Sequence, residues 1–166
     1  MFEPAVAAAD LGTRHAAGLA LARQTGAAWL HVYAVPDEIV SLGRFQPAPP
    51  PGAVPCLSRF SGGRAVPLGP GFVGVALALP HRSALVGDVP LALAPEQVLN
   101  RCVRGVMTGC KAIGTELFYP GRDLLTVGGR PCALVSFTVE ADGATLFEAA
   151  LAIERDLAVL PFLLDR

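Results

Sequence analysis

Arg59-Phe60-Ser61-Gly62-Gly63-Arg64-Ala65-Val66 is the stretch whose reading decides the fold. A Ser-Gly-Gly turn joins two strand-like runs and carries an arginine on either side. Glycines without a Cβ let the backbone approach a ligand closely, and successive N–H groups in such a turn form an anion-binding nest. Two converging arginines would suit a phosphate or a carboxylate. The same turn also reads as an ordinary Gly-Gly turn between strands.

Other segments stand around it in a telling order. Val40-Ser41-Leu42-Gly43-Arg44-Phe45-Gln46 ends a strand upstream, and Gly121-Arg122-Asp123-Leu124-Leu125-Thr126-Val127-Gly128-Gly129-Arg130 reads as a strand entering a Gly-Gly hairpin. Gly143-Ala144-Thr145-Leu146 opens a further apolar strand, and Asp156-Leu157 opens a closing helix. This succession resembles the catalytic domain of the biotin and lipoate protein ligases and octanoyltransferases. That superfamily carries Gly-Arg-x-Gln, then Arg-x-(Ser/Thr)-Gly-Gly-(Gly/Arg)-Ala-Val, then Asn-Asp-Leu followed by Gly-(Arg/Lys)-Lys. The resemblance runs from about Asp10 to Leu164.

The resemblance implies an α+β fold with a mixed, mainly antiparallel sheet packed with helices, as one domain over residues 1–166. It implies a lipoyl or medium-chain acyl group held by Arg59, Ser61, Gly62, Gly63, Arg64, Ala65 and Asp123. Lipoate or octanoate is the implied substrate, with ATP and Mg2+ only in a true ligase. The implied partner is a lipoyl domain or acyl carrier protein whose lysine receives the acyl group, with an accessory subunit supplying a missing part in some arrangements. The Gly-Gly loop and the Asp123–Val139 hairpin should then face one another across a cleft floored by Phe72–Leu79.

Several positions depart from the family pattern. The lysine of the hairpin is replaced by Arg130, which stays charged but cannot serve as a base or an amine nucleophile. Arg130 therefore keeps an electrostatic role or is a solvated hairpin charge. The His-Asp after the loop is Leu68-Gly69, the Asn before Asp123 is Arg122, and the late His-Gly is Glu148-Ala149. Cys132 stands on the returning hairpin strand. A thiolate there, next to Arg130, could accept an acyl group, or the residue packs as a small hydrophobe. Three readings follow: a ligase or octanoyltransferase, a non-catalytic relative that binds the acyl ligand or the carrier without turnover, and a cysteine-dependent transferase.

Composition narrows the class. With 166 residues, 52% hydrophobic and 16% charged, the chain can bury a single core. A formal charge of −1 excludes nucleic-acid binding driven by bulk charge. Of thirteen basic residues only Lys111 is a lysine. It cannot be aligned to the missing residue and reads as a surface charge at a helix end. No apolar run is long enough to cross a bilayer, and no leader pattern opens the chain, so a cytoplasmic protein without membrane partners is expected. The four cysteines lack metal-ligand spacing, and the isolated His15, His31 and His81 receive no role.

Helices are expected over about Pro4–Gln24, with Leu11, His15, Gly18, Leu19 and Ala22 near helical spacing, over Pro95–Met107, and over Asp156–Leu164. Strands are expected over Trp29–Ala34, Ile39–Leu42, Cys56–Phe60, Phe72–Leu79, Lys111–Phe118, Asp123–Val127, Cys132–Val139 and Ala144–Ile153. Pro47–Gly52 reads as a polyproline-like connector and His81–Ala94 as loop.

Overall fold

In the computed structural model the described residues are 1–47, 55–85 and 94–157. These described residues form nine strands and two helices in the order β1 (Phe2–Glu3), α1 (Ala8–Thr25), β2 (Trp29–Tyr33), β3 (Ile39–Leu42), β4 (Cys56–Ser58), β5 (Val66–Leu68), β6 (Phe72–Leu79), α2 (Pro95–Ala112), β7 (Leu124–Val127), β8 (Arg130–Val139) and β9 (Thr145–Ala152). Six strands form a sheet in the order β1-β2-β6-β9-β8-β7, and three form a smaller sheet in the order β4-β3-β5. Among the described residues only β1–β2 and β3–β4 pair in parallel; the other strand pairs are antiparallel. The α+β class with a mainly antiparallel sheet is therefore correct.

Each face of the large sheet buries its own core. Leu11, Leu19 and Ala22 of α1 join Tyr33, Ile39, Val66, Leu68, Leu134, Leu146 and Ala150 on one face. On the other, Val98, Cys102 and Val103 of α2 join Leu79, Leu125, Val135, Phe147 and Ala149. Period-two alternation in β9 does the sorting: Leu146, Glu148 and Ala150 look toward α1 and the small sheet, while Phe147 and Ala149 look toward α2. The five apolar-face positions read from the α1 sequence are its buried residues.

Boundaries differ from expectation for physical reasons. The first helix starts at Ala8, not Pro4, because the chain before it lies along β2: Phe2 and Glu3 pair with Val32 and Tyr33, and Val6 N–H donates to Ala34 O at 2.9 Å. Gly26, with φ 68°, ends α1 by donating to Ala22 O. The strand expected over Lys111–Phe118 does not form. Helix α2 continues to Ala112, and only Phe118 makes a bridge, to Thr126. At the β7–β8 turn Gly128 (φ 56°) and Gly129 (φ 80°) both take left-handed conformations, as a two-residue hairpin loop requires.

All but Pro47 of the expected connector lies outside the described residues, as do residues 86–93 of the expected loop. The closing helix expected over Asp156–Leu164 lies outside them except Asp156 and Leu157, which are in irregular backbone. No helix among the described residues is long and apolar enough to cross a membrane.

Candidate functional site

The Gly-Gly loop does meet the hairpin, through side chains that differ in part from those expected. Gly43 follows β3 at a point where no side chain could fit, since a Cβ would fall 2.1 Å from Gly63 O. Arg44 N–H donates to Ser61 O at 2.9 Å and Arg59 N–H to Leu42 O at 2.9 Å, so the two turns are laced backbone to backbone. Gln46 closes the first turn by accepting from Gly43 N–H at 3.1 Å. The Gly-Arg-Phe-Gln and Ser-Gly-Gly segments are one structural unit.

Arg59 lies inside that unit. Its guanidinium donates to Ser41 O at 2.9 Å, Gly62 O at 2.7 Å, Arg64 O at 2.6 Å and Ser61 Oγ at 3.1 Å. Four of the five N–H donors that arginine owns are thus consumed in shaping the loop. Burial lowers its pKa from the ordinary value, opposed by the charge of Glu148. Arg64 leaves the loop in the other direction and donates through Nε to Asp123 Oδ2 at 2.7 Å. The two guanidinium groups share no hydrogen-bond acceptor, although both arginines line one small cavity. Asp123, Ser61, Gly62, Gly63 and Arg64 do come together, with Ala65 buried against Val40 and Leu42. The N–H groups of Gly62, Gly63 and Arg64 donate to nothing among the described residues.

The centre of the arrangement is a carboxylate. Glu148 projects from β9 into the layer below the loop and is 6% exposed. One oxygen accepts from Ser61 N–H at 3.0 Å and from Ser61 Oγ, and the other pairs with His15 Nδ1 at 3.1 Å. Because the Ser61 hydroxyl proton goes to Glu148, Ser136 of β8 is the donor in the 2.7 Å contact between the two hydroxyls. Burial opposes the charge of Glu148, but hydrogen bonds from His15 and Ser61 and the charges of His15 and Arg59 hold its pKa below the ordinary glutamate value. Burial and the Glu148 charge push the Tyr33 phenol up.

This network corrects the expected cleft. The floor under the loop is β9 and β8, through Glu148 and Ser136, rather than Phe72–Leu79. The space left is a cavity of about 20 Å³ lined by Tyr33, Arg59, Arg64, Leu134, Ser136 and Glu148. That is room for a single water.

The two expected catalytic residues are placed elsewhere. Arg130 is exposed at the start of β8, six residues before Ser136, which is roughly 20 Å along a strand rising about 3.3 Å per residue. Cys132 packs in the core on the α2 side, across the sheet from the loop, and its thiol donates to Leu125 O at 3.5 Å. Burial, with a smaller effect of Cys110, raises its pKa, the opposite of what a nucleophilic thiolate needs. Lys111 is a surface residue 3.9 Å from Glu116.

Sequence reasoning missed Glu148, His15, Ser136 and Tyr33. A signal was present for Glu148: it is the one charged residue in an otherwise apolar strand and stands on an inward position of the alternation. His15 likewise stands one turn after Leu11 on the buried stripe of α1. His31 was also passed over; it is buried and pairs through Nε2 with Glu3 at 2.8 Å.

One substitution separates the two arginines. Arg64→Ala breaks a half-exposed ion pair and should lower stability by less than about 1 kcal/mol in urea denaturation. A loss as large as that of Arg59→Ala would place Arg64 among the groups that build the loop.

No family model and no curated protein matches the chain, so likeness rests on solved structures. The bipartite lipoate protein ligase of Thermoplasma acidophilum, described with its E2 lipoyl domain, superposes with a TM-score of 0.69 at 16% identity over 98% of this chain and 63% of its own. A lipoate-protein ligase A bound with ATP gives 0.69 at 14% identity, covering 99% and 74%. The LipL1 of P. falciparum in complex with lipoate gives 0.66 at 13%, covering 96% and 49%. The chain thus spans between half and three quarters of the length of these neighbours. Two sheets and two helices in this connectivity, with the Gly-Gly loop docked on the hairpin strand, give the chain the fold of the lipoate-protein ligase catalytic domain.

Proposed function

We propose that this chain is a non-catalytic relative of the lipoate ligases, which holds an acyl ligand or an acyl-bearing carrier domain without transferring the acyl group itself. The observation that carries the reading is the filled interior beside the Gly-Gly loop. Tyr33, Arg59, Ser136 and Glu148 leave about 20 Å³ there, room for a water and too little for an octanoyl or lipoyl chain. Transfer to a lysine also needs a preorganised positive group at the acyl carbonyl. Arg130 is far along the hairpin from the loop, and Cys132 is a protonated thiol facing the other core. What remains open at the loop is the set of N–H groups of Gly62, Gly63 and Arg64, a place for one carboxylate or phosphate at the rim. ATP and Mg2+ have no part in the reading. A lipoyl domain or acyl carrier protein is the partner that it favours.

Intact-mass analysis tests it. Incubation of the chain with a lipoyl domain, lipoate, ATP and Mg2+, and separately with octanoyl carrier protein, should leave the acceptor mass unchanged. A lipoyl or octanoyl adduct forming at ordinary enzyme rates would overturn the reading. Cys132→Ser would then show whether the thiol carries the group.

A further inference from the structure

The face of the large sheet opposite the Gly-Gly loop holds an open apolar space. Helix α2 rests on β8 and covers only part of that face. Beyond it Leu30 and Val32 of β2, Val75 and Leu77 of β6 and Leu151 of β9 form an apolar floor. The wall is the flank of α2 itself, and the cavity between them is about 390 Å³. The helix flank owes its shape to Gly105 and Gly109, one turn apart. A Cβ built on either meets nothing within 4 Å. Along the helix the slot runs from Cys102 to Ile113, about 17 Å at 1.5 Å per residue. Its volume falls in the range of small-molecule sites, and its lining is apolar almost throughout.

The lining itself carries no charge. At the Ile113 end the nearest cation, Lys111, lies 3.9 Å from Glu116. At the other end Arg101 stands one turn before Gly105, is exposed and has no ion-pair partner among the described residues. A long, narrow, apolar slot with a free guanidinium near its head matches an unbranched hydrocarbon chain carrying an anionic end.

We propose that this slot binds the chain of a medium- or long-chain fatty carboxylate, with the carboxylate at Arg101 and the hydrocarbon running along Gly105 and Gly109 toward Ile113. The proposal rests on the acyl-binding reading above and gives it a site on the other side of the sheet from the Gly-Gly loop. Cys102 and Cys110 on the wall remain protonated thiols, because burial raises both pKa values, that of Cys102 to about 12. The slot therefore holds the chain without forming a thioester.

Calorimetric titration of the full chain with octanoate, dodecanoate and uncharged dodecanol, each below its aggregation limit, is the test. Dodecanoate should bind with one-to-one stoichiometry and more tightly than octanoate. Gly109→Leu, which replaces a poor helix former and fills the slot, should weaken dodecanoate at least tenfold while the variant stays folded by circular dichroism. Arg101→Glu should weaken dodecanoate several-fold and leave dodecanol unchanged.

Unaltered dodecanoate affinity in Gly109→Leu would overturn the slot while leaving in place an acyl ligand held elsewhere on the chain. No saturable binding by the wild type would overturn the slot and the acyl half of the functional reading together, leaving only the carrier-binding half. Equal losses of dodecanoate and dodecanol in Arg101→Glu would overturn the assigned orientation. Sedimentation velocity adds a further arm: a wild-type dimer that Gly109→Leu converts to monomer would mean that a second copy covers this face, and the proposal would fall.

Discussion

Glu148→Ala is expected to lower folding stability by about 3–5 kcal/mol, the cost of breaking a buried charge network by removing one partner. The loss is large against a domain stability of about 5–15 kcal/mol. The substitution strands Ser61 N–H, Ser61 Oγ and His15 Nδ1 and takes from the buried Arg59 the larger of its acidic counter-charges. Urea denaturation measures the effect, and a loss below about 1 kcal/mol would show that the network is not the keystone of the loop. Arg59→Met combined with Glu148→Met supplies the contrast. Removing both charges together should cost clearly less than the sum of the single changes, because neither leaves the other unpaired.

Acid should reproduce part of this loss. Burial lowers the pKa of His31 from 6.5, against the opposing hydrogen bond with Glu3, and that of Glu148 lies below 4.5 through the groups around it. A group whose pKa is depressed on folding contributes stability that is complete above its ordinary value and is lost as the pH falls through the folded one. Stability should therefore begin to fall below about pH 6.5 and fall again below about pH 4.5. Glu148→Gln should flatten the second limb alone.

Most of the fold was legible because its signals are local. Phe72–Leu79 is a strand with the bounds expected of it, Gly128-Gly129 forces the hairpin, and the α1 stripe follows from helical spacing. The missing strand over Lys111–Phe118 shows the limit of such signals. Lys111 and Ala112 extend a helix whose apolar face continues through Cys110, and no partner strand is offered to the residues after it.

The site was less legible because its logic is long-range. Glu148 meets Ser61 across 87 positions of sequence, and nothing in the loop itself announces a carboxylate beneath it. The pair of arginines looked alike in sequence, yet Arg59 points inward to the carbonyls of Ser41, Gly62 and Arg64 while Arg64 points outward to Asp123. Arg130 and Cys132 followed from the motif order of the resembled family. Neither strand reach nor the choice of sheet face can be read from motif order.

Gly43→Ala is expected to be the most damaging of the conservative changes in the loop region, at about 3 kcal/mol or near the upper end for overpacking. The added methyl would stand 2.1 Å from Gly63 O and 3.1 Å from Gly62 C. Both are backbone atoms, so no side chain can rotate away, and the Gly-Gly turn itself has to move off β3. Moving it breaks the Arg44 N–H to Ser61 O bond and withdraws Gly62 O and Arg64 O from the Arg59 guanidinium. Gly62→Ala is the matched control. Its Cβ would meet nothing closer than the Phe45 ring at 3.6 Å, an ordinary contact, and its backbone is not left-handed, so the change should stay within about 0.5 kcal/mol. Urea denaturation gives both numbers, and amide exchange over Arg59–Val66 shows whether the damage is local. If the two variants prove equally stable, the close approach of Gly43 to Gly63 does not hold the loop, and the lacing of the two motifs into one unit fails with it.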